Sequence, residues 1–271
     1  MSHVVTFSDV LATIDEFAPL SLQETYDNSG LLVGEGDTPF KGALVCLDVT
    51  EAVIAEAIEC DCNLVISHHP LIFHGLKSLR GDTGTSRAII LALRSHVGIL
   101  AAHTNLDAAR GGVNYAIAQK IGLTPESVLS PAHNGEQGTG IGLVGSLSKK
   151  MSEGDFLHYI AHIFPQQPCL RYSTKTGKII TRVALCGGSG IDLLEEAIRL
   201  KADAYITGDV KYHDFQRPDG RLMLIDLGHR ESELCAIELL KQLVSQKFPT
   251  FASSVSTQEQ SPVNYFVSNK L

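Results

Sequence analysis

Residues 45–69 read VCLDVTEAVIAEAIECDCNLVISHH, and residues 185–209 read LCGGSGIDLLEEAIRLKADAYITGD. The two stretches align without a gap at an offset of 140: Cys46 matches Cys186, Glu56-Ala57-Ile58 matches Glu196-Ala197-Ile198, and Ile66-Ser67 matches Ile206-Thr207. Each copy reads as strand, turn, helix, strand and polar cluster, because short apolar runs flank an interval with apolar residues at helical spacing. A second correspondence follows each copy. GILAAHTNLD and LMLIDLGHRESE both run from a strand into a His with an acid four residues on: His103 to Asp107, and His229 to Glu233. Matches recurring in the same order predict two related lobes.

Outward from this repeat, strands alternate with helices of about ten residues, the signature of an α/β fold with parallel strand pairs. TFSDVLATIDEFAPL predicts a first helix capped by Ser8, with Val10, Leu11, Ile14 and Phe17 on one stripe and Pro19 at its end. GALVCLDVT reads as a buried strand and Thr50 opens the next helix. SRAIILALRSH predicts a helix, VGILAAH a strand, and GGVNYAIAQKIGL a helix closed by Gly122. YDNSGLLVG reads as turns. Residues 126–150, with SPAHNGEQGTGIG, are rich in Gly, Ser, Pro and Asn and read as a connecting segment. The long helix HRESELCAIELLKQLVSQKF carries Leu234, Ile237, Leu240 and Leu243 at helical spacing. The expected organisation is a first α/β lobe over 1–125, the connection 126–150, and a second lobe over 151–271. Equivalent strand ends would face each other across the junction, where α/β folds place ligands.

Composition narrows the function. The 271 residues carry a formal charge of −8, which argues against a generic nucleic-acid or anionic-membrane binder, since both need clustered Lys and Arg. A local basic pocket for one anionic small molecule stays compatible with it. The apolar content of 44% suits a chain with a real core. No run reaches the roughly 18 uninterrupted apolar residues of a membrane span. The most apolar region, 88–102, is broken by Arg94, Ser95 and His96. The opening MSHVVTFSDVLATIDEF has acids and no basic region, unlike a signal peptide. Six cysteines form no CxxC pair and mostly sit in apolar surroundings, as reduced thiols do, so a cytoplasmic location is expected. Cys60 and Cys62 are too few for a zinc site by themselves.

Four histidines fall at predicted strand ends: His68, His69, His103 and His229. With Asp107 and Glu233 they supply the nitrogen and carboxylate donors that zinc, manganese, iron or nickel accept. His229 and Glu233, four apart on a helix, project from one face about 6 Å apart. His68 and His69 are adjacent and would point to opposite sides of a strand, which suits one ligand on each of two neighbouring ions better than a chelate on one. Pro70 keeps that strand from continuing in regular pairing. Each feature also has a plain structural reading, as a core histidine, a surface loop or an ordinary helical pair. CGGSG could offer amides to a phosphate, but it lacks the order of a dinucleotide loop and the Lys of a P-loop, so a tight turn is the simpler reading. Lys77, Arg80 and Arg110 lie close in sequence to the polar clusters and could meet an anion. Ser67 precedes His68, but no GxSxG elbow is present. Hydrolytic chemistry would then come from metal-bound water, whose pKa falls to about 7, with His103 as the candidate proton shuttle.

Together YDNSGLLVG, SHHPLIFHG, AAHTNLDAARGGVN, ALCGGSG, ADAYITGD and LIDLGHRESE resemble the NGG-one-interacting-factor-three-like family, whose members are commonly named GTP cyclohydrolase I type 2 homologues. The likeness spans about residues 26–233 in the family's order and matches the short form, without the domain that longer members insert between the lobes. The resemblance implies two divalent metal ions per chain, held by His68, His69, Asp107, His229 and Glu233, with Glu233 touching both. It also implies a ring-shaped homohexamer. Relatives commonly carry Trp where Tyr26 stands, and often an aromatic residue where Arg230 stands, which makes the pocket rim more cationic here.

Two functions follow from this reading. One is a metal-dependent hydrolase whose activated water attacks a nucleotide ring or amide-like bond, GTP ring opening being the specific version. The other is a metal-binding scaffold or adaptor that acts through protein contacts without turnover. A metal store is a third, weaker reading. The expected substrate is a small molecule such as a nucleotide, with no membrane or nucleic-acid partner.

Overall fold

The computed structural model describes residues 4–133, 135–167 and 169–266, so residues 1–3 and 267–271, the ends of the two expected lobes, lie outside it. In chain order the elements are α1 (Phe7–Phe17), β1 (Gly30–Val33), β2 (Gly42–Cys46), α2 (Glu51–Glu59), β3 (Leu64–Ser67), α3 (Gly84–Arg94) and β4 (Gly98–Ala101). Then follow α4 (Thr104–Ala108), α5 (Val113–Lys120), β5 (Leu123–Pro131), β6 (Gly140–Ser152), α6 (Glu153–Ile163) and β7 (Arg171–Tyr172). The chain continues with β8 (Ile179–Ser189), α7 (Leu194–Arg199), β9 (Ala204–Gly208), β10 (Met223–Asp226), α8 (His229–Lys247) and β11 (Ala252–Val255).

Local chemistry explains the boundaries. Thr50 Oγ1 accepts from the amide of Val53 at 3.2 Å and so starts α2 as expected. The first helix starts two residues earlier than Ser8 suggests. Its cap is Thr6, whose amide donates to the Asp9 carboxylate at 2.8 Å, and Phe7, Val10 and Ile14 form the buried face.

Two sheets carry the fold. The first has the order β1-β4-β3-β2-β11, and the second β5-β6-β8-β9-β10-β7. Strands β2, β3 and β4 are mutually parallel, as are β8, β9 and β10. The triplets correspond in order and in their crossover helices α2 and α7, so the chain is two related α/β lobes. Strands β2, β3, β4, β9 and β10 are mostly apolar and buried throughout, and β8 is buried from Val183 to Cys186, as parallel strands covered on both faces must be. One core is continuous between the sheets: Val45, Leu64, Ile66 and Leu100 of the first share it with Val183, Leu185, Ile206 and Ile225 of the second. Each such side chain contributes about 1.5–3 kcal/mol by leaving water. Helix α8 touches strands of both sheets and buries Ala236, Ile237, Leu240 and Val244. Leu243, expected on that stripe, is only partly buried, because the buried face turns toward Val244.

Two segments differ from expectation. Most of residues 126–150 are strand: β5 and β6 pair antiparallel in the second sheet, with only the stretch between them left as loop. Their Gly and Ser content masked a hairpin whose first strand, β5, is an edge with Thr124, Pro125, Glu126 and Ser127 exposed, while Leu143 and Val144 of β6 are buried. Conversely β11, from the C-terminal part of the chain, pairs parallel with β2 and completes the first sheet.

Candidate metal centre

Parallel strands bring their C-terminal ends to one edge, and the two lobes turn these edges toward each other. Asp48 follows β2, His68 and His69 follow β3, and His103 follows β4. Opposite them, Asp209 follows β9 and His229 opens α8. Asp107 projects from α4, and Glu233 from the second turn of α8.

All six sequence-predicted residues converge. Glu233 is 2% exposed and stands at the centre. Its Oε2 lies 3.0 Å from Nε2 of His69 and 3.0 Å from Nε2 of His229, while its Oε1 lies 3.7 Å from Nε2 of His68. His68 Nε2 is also 3.6 Å from Oδ1 of Asp107. Donor atoms within 4.8 Å of one another therefore form the group His68, Asp107 and Glu233, and the group His69, His229 and Glu233. A further group joins His103 to His68 and His69.

The outer nitrogens are fixed in turn. His68 Nδ1 lies 2.8 Å from the carbonyl of Ala102, His69 Nδ1 2.8 Å from Asp48, His103 Nδ1 2.7 Å from Asp27 and His229 Nδ1 2.7 Å from Asp209. Each Nδ1–H donates outward, so each Nε2 faces the centre. Asp27, Asp48 and Asp209 were not singled out from sequence. The available signal for two of them was an Asp just past a strand end, in VCLDVT and YITGDV.

Within this cluster His68 Nε2 and Asp107 Oδ1 are buried without a hydrogen-bond partner. A buried pair of this kind is costly as it stands and is satisfied by a cation between them. The donor set is imidazole and carboxylate, which suits a divalent transition metal. The residues present fit such an ion.

The electrostatics agree. Burial alone would lower the His229 pKa, but hydrogen bonds to Asp209 and Glu233 push it up to about 10. His69 is likewise disfavoured as a cation by burial, yet Asp48 and Glu233 push it up to about 9. Burial raises Asp107 to about 6, with His68 opposing and Glu233 adding to the rise. Glu233 is buried too, but hydrogen bonds to His229 and His69 and the nearby His68 imidazole hold it well below the usual carboxylate range.

Other candidates fall elsewhere. Ser67 Oγ donates to the carbonyl of His69 at 2.7 Å, so its proton is committed to a backbone oxygen and not to a side-chain base. The amides of Gly187, Gly188 and Gly190 donate to Asn114, Ser232 and Thr207 at 3.0, 2.9 and 2.9 Å, so these glycines of CGGSG, at the irregular end of β8, spend their amides on protein side chains and not on a phosphate. Cys60 is exposed, Cys62 is buried, and neither joins a metal group among the described residues. Lys77 and Arg80 are exposed, and Arg110 lines a different cavity. The cations beside the centre are instead Arg171 and Arg230. They line a cavity of about 390 Å³ together with Asp48, His69, Asp209, His229 and Tyr265.

A family model described as Duf34/NIF3 (NGG1p interacting factor 3) matches residues 5–262. A GTP cyclohydrolase 1 type 2 homolog of Clostridium acetobutylicum is 34% identical over 237 residues, covering 86% of this chain and 87% of the relative. A homolog of the same name from Staphylococcus epidermidis is 25% identical over 360 aligned positions, covering 92% of this chain and 98% of its own. That alignment exceeds the 271 residues here, so that relative carries a stretch with no counterpart in this chain. Among solved structures, a hypothetical protein of Staphylococcus aureus is similar at a TM-score of 0.88 and 28% identity, covering 97% of this chain and 100% of that one.

Proposed function

The chain belongs to the Duf34/NIF3 family, and from that footing we propose that it is a dinuclear metal-dependent hydrolase of the GTP cyclohydrolase type 2 kind. One observation carries the reading: the two oxygens of Glu233 address different ligand groups, Oε1 toward His68 with Asp107 and Oε2 toward His69 with His229. A carboxylate divided in this way is suited to bridging two ions. Zinc, iron, manganese and nickel all suit the donor set. Two cations there would supply Lewis acidity and would acidify a coordinated water.

The chain's own residues supply the rest. His103 donates through Nδ1 to Asp27, whose carboxylate also accepts from the Thr104 amide at 3.0 Å and from Ser29 Oγ at 3.0 Å. That leaves Nε2 of His103 directed at the cluster, where it would take up a proton and return it to a leaving group. Arg171 and Arg230 would bind an anionic part of the substrate in the adjoining cavity. Arg171 is paired with Asp226 and Arg230 with Glu259, so both are held in place. A nucleotide ring or an amide-like bond is the proposed electrophile.

The test is metal per chain by mass spectrometry on untagged protein beside His229→Ala, followed by a hydrolysis screen that starts with GTP. About two ions in the native chain, clearly fewer in the variant, and turnover lost with them would support the hydrolase. No ion after reconstitution with zinc, manganese or iron would sink it. Two ions with no turnover would favour the scaffold reading. The proposed assembly is a ring-shaped hexamer in the cytoplasm, read out by native mass spectrometry.

A further inference from the structure

We infer that Asp48 and Asp209 are positioning residues that set the tautomer of His69 and His229 and so determine how tightly the ligand group nearest the cavity holds its ion. The inference rests on the metal-centre reading above. Each carboxylate faces one histidine, at 2.8 Å for Asp48 with His69 and 2.7 Å for Asp209 with His229. An ionised carboxylate can only accept, so the histidine must carry its proton on Nδ1, which leaves the Nε2 lone pair for the centre. Both Nε2 atoms point at the same oxygen of Glu233 and lie 3.3 Å apart.

The histidine is the only side-chain partner recorded for either acid among the described hydrogen bonds, and both carboxylates are roughly half exposed. Neither contributes to a ligand group. Asp209 also sits at φ 55, a left-handed conformation that costs a non-glycine residue energy and is retained where surrounding structure requires it.

The other group is built differently. His68 is oriented by a neutral carbonyl, that of Ala102, and is fully buried. His69 and His229 line the cavity, whereas His68 and Asp107 do not. The two acids therefore act on one group of the two.

The duplication makes the arrangement crosswise. At the offset of 140, Asp209 aligns with His69, and Asp48 aligns with Gly188. The position that carries a ligand in the first lobe carries the acid that aims a ligand in the second. Where the first lobe has its aiming acid, the second has a glycine that leaves room for Glu233.

The experiment is zinc titration of the metal-free full-length chain in competition with a chromogenic chelator, for the native protein, Asp209→Asn, Asp48→Asn and Asp209→Ala. Circular dichroism of each metal-free variant checks the fold. Asparagine keeps the size of the side chain but can donate as well as accept, so it no longer selects the tautomer. Both Asn variants should weaken one of two ions about 10- to 100-fold and leave the other at native affinity. Native affinity for both ions in Asp209→Asn and Asp48→Asn, or equal weakening of both ions, would overturn the positioning role. A native chain that binds no zinc would instead remove the metal-centre reading itself, and this inference with it.

Discussion

Gly188 faces Glu233 so closely that a Cβ on it would overlap Oε1 and stand 3.0 Å from Cδ of that carboxylate. Gly188 also sits at φ 62, where a side chain is strained. Gly188 of CGGSG thus makes room for the carboxylate, while Gly190 packs against Cys186 and Tyr205. Gly188→Ala should displace Glu233 and cost about 1–3 kcal/mol of stability. Metal per chain and thermal unfolding, measured together, check this; native metal content in a folded variant would contradict it.

Glu233 is the one residue shared by the two groups, so its loss should differ in kind from the loss of a single histidine. Glu233→Gln should empty both proposed ion sites, whereas His229→Ala should affect chiefly the group with His69. Mass spectrometry of the two variants separates these outcomes.

The metal-free protein should lose stability progressively as pH rises from 6.5 to about 9–10. His69 and His229 have folded-state pKa values of about 9 and about 10, above the ordinary histidine value of 6.5. Groups raised on folding stabilise the fold fully below the unfolded value, and that contribution disappears as pH climbs through the folded one. Metal loading should show the opposite trend, tightening with pH and releasing about two protons near neutrality, one from each histidine. Calorimetric titration in buffers of different ionisation enthalpy counts those protons.

Asp27 should be needed for turnover and not for metal content. It fixes His103, which lies outside the two groups that share Glu233. Asp27→Asn should therefore lower kcat on any substrate found while the ion count stays native. A parallel fall in ions would assign Asp27 to the integrity of the centre instead.

Glu56 ties the C-terminal segment to the first lobe. Its carboxylate accepts from Ser256 Oγ, from the Thr257 amide at 2.8 Å and hydroxyl at 2.6 Å, and from the Gln258 amide at 3.2 Å. Burial opposes the charge, but these bonds hold its pKa below the usual value. The contribution is present above the unfolded carboxylate value and is lost as pH falls. Glu56→Gln should cost about 1–3 kcal/mol and expose residues beyond β11 to limited proteolysis. Those residues include Ser261, Pro262, Val263 and Tyr265 of the cavity wall, so ligand binding in the cavity should weaken as well.

Much of this was legible before any coordinates. Apolar strands β2, β3, β8 and β9 stand out because parallel strands buried on both faces are continuous apolar runs. Glu233 and His229 were readable as a pair because a helix brings positions four apart to one face. The hairpin of β5 and β6 was missed because an exposed edge strand such as β5 needs few apolar residues, and the glycines of the hairpin resemble a loop. Arg171 and Arg230 were not connected with a cavity because nothing in a linear chain places β7 beside the start of α8.

The sequence by itself determined the two α/β lobes, their order of elements, the family, and the six side chains that gather at the strand ends. The lobes and elements depend on periodicity, capping and local repetition, which act over a few residues, and the family rests on the resemblance of short motifs taken in order. Only the tertiary structure decided which donors share an ion, which carboxylates aim the histidines, and which cations line the cavity. Those relations join residues such as His69 and Glu233, 164 positions apart. They exist because two separately built sheets pack on one core with their strand ends opposed, and that packing sets distances no local pattern encodes.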